Sequence, residues 1–423
     1  MPTEHHFSRA LGPGLFFAAA AVGVSHLVQS TRAGADYGLA LGLFILLALL
    51  FKYPAFRFGP NYTAATGTSL LEGYRRQGRW ALVLYGVLTL GTMFTVQAAV
   101  TVVTAGLANV TLGLPFDAIT TSALLLGVCA AVLAVGQFHW LDRIVKLLVV
   151  VFTVSTVIAT LLIVPTIPWS EMHWMLPAEA VDQKTILFLA ALVGWMPSAI
   201  DIAVWNSLWT LEKARDTGYR PSVRESMLDF HIGYIGTGVL AFCFMLLGAG
   251  VMYTSETEIA TSAGAFATQV LDLYRQALGD WVAPIIGASA LAVMFSTTLT
   301  VLDAFPRAIA TLVERFRGEE RPADERERHE RTLIYWGAVA VLALGAVIVL
   351  HFLLSSLSAM VDIATTLSFL TAPVLAILNH RAMFQSSVPL ADRPRPWLVV
   401  MSLAGIVALS GFALYYLYLV VLG

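Results

Sequence analysis

Residues 18–38 read AAAAVGVSHLVQSTRAGADYG. The stretch begins as a helix that a bilayer would accept and then breaks its own pattern. Gly23, Val24, Ser25 and His26 bring a glycine, a β-branched residue, a hydroxyl and an imidazole into what should be a plainly apolar run, and Gln29, Ser30 and Arg32 follow. Polar groups in a first membrane span cost several kcal/mol if they face lipid, so they face something else. The spacing predicts half of a solute site in an interrupted helix.

The rest of the chain makes that reading coherent. Of 423 residues, 58% are hydrophobic and 12% charged, and the mean hydropathy is +0.77. These values exclude an ordinary soluble domain. Apolar runs of about 20 residues recur, which predicts an all-α membrane protein. Eleven spans are expected, near 11–32, 36–56, 80–112, 117–137, 142–166, 184–210, 230–253, 281–313, 332–353, 358–380 and 396–422. The loops are short, so residues 1–423 form a single membrane domain. A cleaved signal peptide is rejected because ten further apolar runs follow the first. Cys129 and Cys243 lie in apolar runs and read as small core residues.

Charge gives the orientation. With the N-terminus in the cytoplasm, only Arg32, Lys184 and Arg275 of the 25 basic residues fall outside. This is a strong positive-inside bias, and it puts the C-terminus outside. It fits an integral protein of a bacterial inner membrane. Ser69 three residues before Glu72 predicts a capped short helix in the inward loop. Gly34, Gly38 and Gly42 predict a smooth packing face at the start of span 2. Residues 254–279 predict an amphipathic outer helix, and GEERPADERERHER a solvated linker.

Span 6 reads ILFLAALVGWMPSAIDIAVWNSLW and carries a second break at Gly194, Pro197, Ser198 and Asp201. Proline removes a backbone donor and clashes with the preceding turn, and Gly194 is expected to ease unwinding. Two interrupted spans, five apart, point to an inverted repeat with a midplane site. The repeats would be about 11–166 and 184–380, with an extra helix at about 396–422.

Gly12-Pro13-Gly14, Ala33-Gly34-Ala35-Asp36-Tyr37-Gly38, Thr66-Gly67-Thr68-Ser69-Leu70-Leu71-Glu72 and Met196-Pro197-Ser198 together resemble the NRAMP divalent-metal transporter family. The resemblance implies a LeuT-type fold of two inverted five-helix repeats plus one helix, with helices 1 and 6 broken at mid-membrane. It also implies a secondary active transporter working by alternating access, with a divalent metal ion as cargo. Carried over, the substrate-binding positions are Gly23, Val24, Ser25, His26, Val193, Met196, Ser198, Asp201 and Thr371, with His26, Met196 and Asp201 as candidate metal ligands. The family's first-span Asp and Asn are Gly23 and His26 here, the histidine of its MPH motif is Ser198, its third-span acidic pair is Gln97 and Val100, and its tenth-span glutamine is Thr371.

Those replacements remove the charged oxygen that a hard divalent cation needs. The remaining ligands suit a softer cation such as Cu(I), or a non-metal solute, and a non-transporting sensor on the same scaffold is a third possibility. His26 could ligate a metal, bond an organic solute, carry a proton or simply pack helices. Asp201 could replace the lost first-span charge, pair with His26, titrate, or simply pair with a basic or polar neighbour on another helix. Met196 is a ligand candidate or a core filler. Gln97, Asp303 and Asp362 read as structural. No enzyme signature, cofactor motif or nucleic-acid-binding pattern is present, so the expected partners are a small solute or metal ion and the lipid bilayer.

Overall fold

The joints between helices are set by glycine, proline and capping residues. The computed structural model describes residues 12–135, 139–170, 172–255, 258–320 and 325–422. Among these, the regular elements are all helical. In chain order they are α1 (Pro13–Ala21), a π-helical turn (Ser25–Ser30), α2 (Thr31–Tyr37), α3 (Gly42–Thr66), α4 (Leu70–Gln77), α5 (Arg79–Leu112), α6 (Ala118–Val135) and α7 (His139–Ile163). Then come α8 (Gln183–Trp195), α9 (Ile202–Thr217), α10 (Val223–Leu247), α11 (Ala263–Leu278), α12 (Ala283–Arg317), α13 (Glu325–Leu353), α14 (Leu357–Met383) and α15 (Pro396–Leu422), with short 3-10 turns between some of them. The same order occurs twice: an interrupted pair, a long helix, a short helix, and three long helices. α15 stands alone at the end.

Among the described residues, nine helices are long and apolar enough to cross a membrane, and the bent pair α1/α2 makes ten. α8 is 13 residues, about 20 Å long, and is too short to cross a hydrocarbon core of about 30 Å alone. Taken with α9 as one crossing, it would bring the count to the eleven expected.

The first interruption falls at Val22 and Gly23, where the axis turns by 46°. Ser25 and His26 already lie in the π-helical turn, so the break is narrower than the four residues expected. The second runs from Met196 to Asp201, between α8 and α9. Gly194 does not unwind: it stays inside α8, where an added Cβ would come within 2.1 Å of the Thr365 carbonyl oxygen. Its lack of a side chain serves close contact with α14. The proposed glycine face on span 2 also divides. Gly34 belongs to α2, with no room for a Cβ beside the Met245 carbonyl; Gly38 turns the chain at φ 59°; only Gly42 opens α3.

Gly12-Pro13-Gly14 has a similar explanation. The Asp229 carboxylate on α10 accepts from the backbone N–H groups of Gly12 (3.1 Å) and Gly14 (2.6 Å), capping α1 from another helix. A Cβ on Gly14 would lie 2.0 Å from the Asp229 carbonyl oxygen. Gly14→Ala is therefore expected to cost about 1–3 kcal/mol by overpacking, seen as a lower midpoint in thermal unfolding, whereas Gly236→Ala, where nothing lies within 4 Å, should be much milder.

Helices divide into inner and outer sets. About two-thirds of the apolar window is buried in α5 (67%) and 61% in α12 and α14, but only 22% in α6 and α13 and 28% in α15. The outer helices remain apolar on their exposed sides, as lipid contact requires. At the basic end, α4 is present as expected. Ser69 accepts from the Glu72 backbone N–H, but the Glu72 side chain does not close the capping box. It binds Arg75, Arg76 and Arg315 instead. At the opposite end α11 supplies the expected amphipathic helix. The linker expected over residues 318–331 lies partly outside the described residues, and α13 begins within it at Glu325.

Candidate functional site

All nine residues nominated from the sequence are buried. Gly23 faces α12. A Cβ at position 23 would lie 2.9 Å from Cγ2 and 3.1 Å from Oγ1 of Thr297, and that hydroxyl donates to the Ala19 carbonyl at 2.9 Å. The space a longer residue would need is thus filled by threonine. Val24 packs in the hydrophobic core.

His26 is turned towards α10. Its Nε2 lies 2.9 Å from the Thr237 carbonyl oxygen, which accepts from it when that nitrogen carries the proton. Nδ1 lies 2.7 Å from Ser25 Oγ and 3.0 Å from the Ala21 carbonyl. Both nitrogens are engaged with protein oxygens, and Asp201 is not among the partners. Ser25 Oγ, with one proton to give, lies 2.6 Å from the Ala21 carbonyl and 3.2 Å from the Pro197 carbonyl, so its hydroxyl bridges the two interruptions.

The second interruption is organised around Lys52, which sequence reasoning missed. Its side chain is fully buried on α3, and Nζ donates to three carbonyl oxygens: Val193 at 3.0 Å, Gly194 at 2.9 Å and Ser198 at 2.7 Å. The only signal for it was a lone cation in the run LFILLALLFKYPAF. Met196 is fully buried. Asp201 is buried too; its Oδ1 has no hydrogen-bond partner among the described residues, and it lies within electrostatic range of Lys52, Tyr74 and Tyr85. Trp205, one turn further along α9, has an unpartnered buried Nε1 and packs edge-on against Phe305. Such orphaned buried atoms are rare and ask for a partner.

Thr371 does not join this cluster through its hydroxyl, which donates to the Ser368 carbonyl on its own helix. Gln97 donates to Thr101 Oγ1 and the Thr298 carbonyl. Asp303 is held by Arg307 and Tyr335. Asp362 takes two bonds from Arg32, at 2.6 and 3.2 Å, and one from Gln29, so the polar tail of the opening stretch clamps span 1 to span 10. Cys129 and Cys243 are free and buried. Among the described residues, no group of three or more His, Cys, Asp or Glu side chains is placed to hold a metal ion. A cavity of roughly 670 Å³ opens at the basic end between α3, α9 and α12. Its lining stops at Leu208 and includes none of the nominated residues.

Comparison with known proteins places this geometry. The family model described as natural resistance-associated macrophage protein-like (Nramp) matches residues 14–419. An uncharacterized protein of Pasteurella multocida is 33% identical over 420 residues, covering 98% of this chain and 93% of that one. Among solved structures, the Eremococcus coleocola manganese transporter in complex with an aromatic bis-isothiourea substituted compound superposes with a TM-score of 0.64 at 14% identity, covering 98% of this chain and 88% of that one. MhsT in complex with L-phenylalanine gives 0.62 at 15%, covering 99% and 98%. At these identities the structures establish the fold, that of LeuT-type membrane transporters. The family match runs through nearly the whole sequence, including both interruptions, and the chain belongs to the Nramp family.

Proposed function

We propose that this chain is a secondary active transporter that moves a small polar solute, rather than a bare divalent metal ion, by alternating access. The inverted repeats, about 11–166 and 184–380, would rock about the paired interruptions, with 396–422 outside them. The basic loops support a cytoplasmic N-terminus in a bacterial inner membrane.

The packing at position 23 carries the substrate reading. A hard divalent cation needs charged oxygen to offset its dehydration, and here the first interruption offers no carboxylate, and a Cβ at position 23 would already press on the Thr297 side chain. His26 has both nitrogens committed. Among the buried side-chain atoms without a partner at the second interruption are an acceptor, Asp201 Oδ1, and, one turn along α9, a donor, Trp205 Nε1, groups suited to a polar organic molecule.

Flux and calorimetry in proteoliposomes test this with Mn²⁺, Mg²⁺, Cu⁺ and a panel of small polar solutes. No saturable Mn²⁺ uptake is expected. For the solute that is carried, Asp201→Asn should lower uptake about 10-fold or more, the worth of one hydrogen bond to a charged group. Saturable Mn²⁺ uptake by the unaltered protein would overturn the reading. The buried Met196 thioether favours one rival, a soft cation, which Cu⁺ uptake abolished by Met196→Ala would establish. Tight binding without flux would identify a sensor.

A further inference from the structure

Where a helix stops inside a membrane, its last carbonyls lose their intrahelical partners and carry the negative end of the helix dipole. α8 stops at Trp195. Two of the oxygens near its end, those of Val193 and Gly194, together with that of Ser198 from beyond the proline, converge on Lys52 Nζ at 2.7–3.0 Å. Three backbone oxygens around one positive centre form a cation seat. The occupant belongs to the chain itself, from a helix more than 140 residues earlier in the sequence.

The geometry also indicates the occupant's charge. An ammonium has three N–H donors and no acceptor, and it meets three acceptors here. A neutral amine has two N–H groups and would turn its lone pair against the third carbonyl. A buried charge is tolerated only when paired and hydrogen-bonded. Asp201 is the carboxyl group within electrostatic range, and the Phe56 ring lies 5.6 Å from Nζ.

We propose that Lys52 is a resident cation: its ammonium fills the carbonyl seat at the end of α8 and excludes mobile cations from it, so that the interruption keeps its shape with no metal or alkali ion bound there. The proposal extends the reading of a non-metal cargo, but its test does not depend on the cargo. Saturable Mn²⁺ uptake would remove that reading and leave this one standing.

The test is thermal unfolding of the purified full chain in sodium, potassium, methylammonium and choline chloride at equal ionic strength. The unaltered protein should melt at one temperature in all four. Lys52→Ala should be destabilised in choline, which is too large for the seat, and regain several degrees in methylammonium or an alkali salt. Lys52→Met, which refills the stem volume without a charge, should be lowered in every salt. A Lys52→Ala protein indifferent to all four cations, or an unaltered protein as cation-dependent as the variant, overturns the proposal. If Lys52→Ala does not fold in any salt, ¹⁵N-lysine NMR of the unaltered protein decides, since the chain has only four lysines. A slowly exchanging three-proton signal for Lys52 supports the resident cation, and a two-proton amine signal overturns it.

Discussion

Glu72→Ala is expected to cost about 3–5 kcal/mol, the penalty for stranding a buried charge, and to loosen the basic end of the molecule. The Glu72 side chain is 1% exposed and Arg315 6%. Five donors meet that one carboxylate group: Arg75 Nε and Nη2 at 2.9 and 2.8 Å, Arg76 Nε at 3.1 Å, Arg315 Nη1 at 3.4 Å and the Glu320 backbone N–H at 3.3 Å. In return the Glu320 carboxylate accepts from Ser69 N and Oγ. The network ties α4 to the end of α12. Arg75 and Arg76 are partly exposed and can turn to water, which favours the lower end of the range. Arg315 cannot, and among the described residues its remaining nearby carboxylate is Glu314 at 3.7 Å. The measurement is denaturation of the detergent-solubilised protein, with hydrogen exchange over residues 69–77 expected to speed up.

The same group sets an acid limit. Burial opposes ionisation of Glu72, but the hydrogen bonds from Arg75 and the charges of Arg75, Arg76 and Arg315 outweigh it and hold the carboxyl below its ordinary value of 4.5. The native state therefore binds this proton less readily than the unfolded chain. Its contribution is whole above 4.5 and is lost as pH falls through the lowered native value. Below pH 4.5 the unaltered protein should lose stability more steeply than Glu72→Gln.

The network also shows what a single sequence reveals. Ser69 and Glu72 fit a local capping pattern, and half of it forms, because a cap needs only residues three apart. The other half fails because Arg75, Arg76 and Arg315 hold the carboxylate and Glu320, 251 positions from Ser69, takes the Ser69 backbone N–H that the box needs. The apolar runs were legible for the same local reason, as was the proline at 197. Lys52 was not. It stands as a lone cation in an apolar run, and only folding brings it to oxygens at 193, 194 and 198. Gly23 was seen as a lost carboxylate, but Thr297 as the filler of its space depends on α12 crossing there. Gly194 was recognised as unusual and given the wrong reason: glycine permits both unwinding and close approach, and sequence does not say which. His26 was placed at the break by counting residues, but which helix a side chain leans towards is settled by packing.

Restoring the family's first-span carboxylate tests these long-range contacts together. Gly23→Asp alone is expected to destabilise the protein by about 1–3 kcal/mol through overpacking and to bind no Mn²⁺, because Thr297 occupies the side-chain space. Adding Thr297→Ala removes that contact and the hydroxyl bond to the Ala19 carbonyl. The double variant should regain packing but still give no Mn²⁺ heat in calorimetry, because the Lys52 ammonium retains the Val193 and Ser198 carbonyls and repels a divalent cation beside Met196. Only with Lys52→Met as a third change does the interruption combine a carboxylate, free carbonyls, a thioether and no competing charge. Mn²⁺ binding is expected in that triple variant, and Met196→Ala should weaken it. If the double variant binds Mn²⁺ as tightly as the triple one, the ammonium is not what excludes the metal, and loss of the carboxylate at position 23 is sufficient by itself.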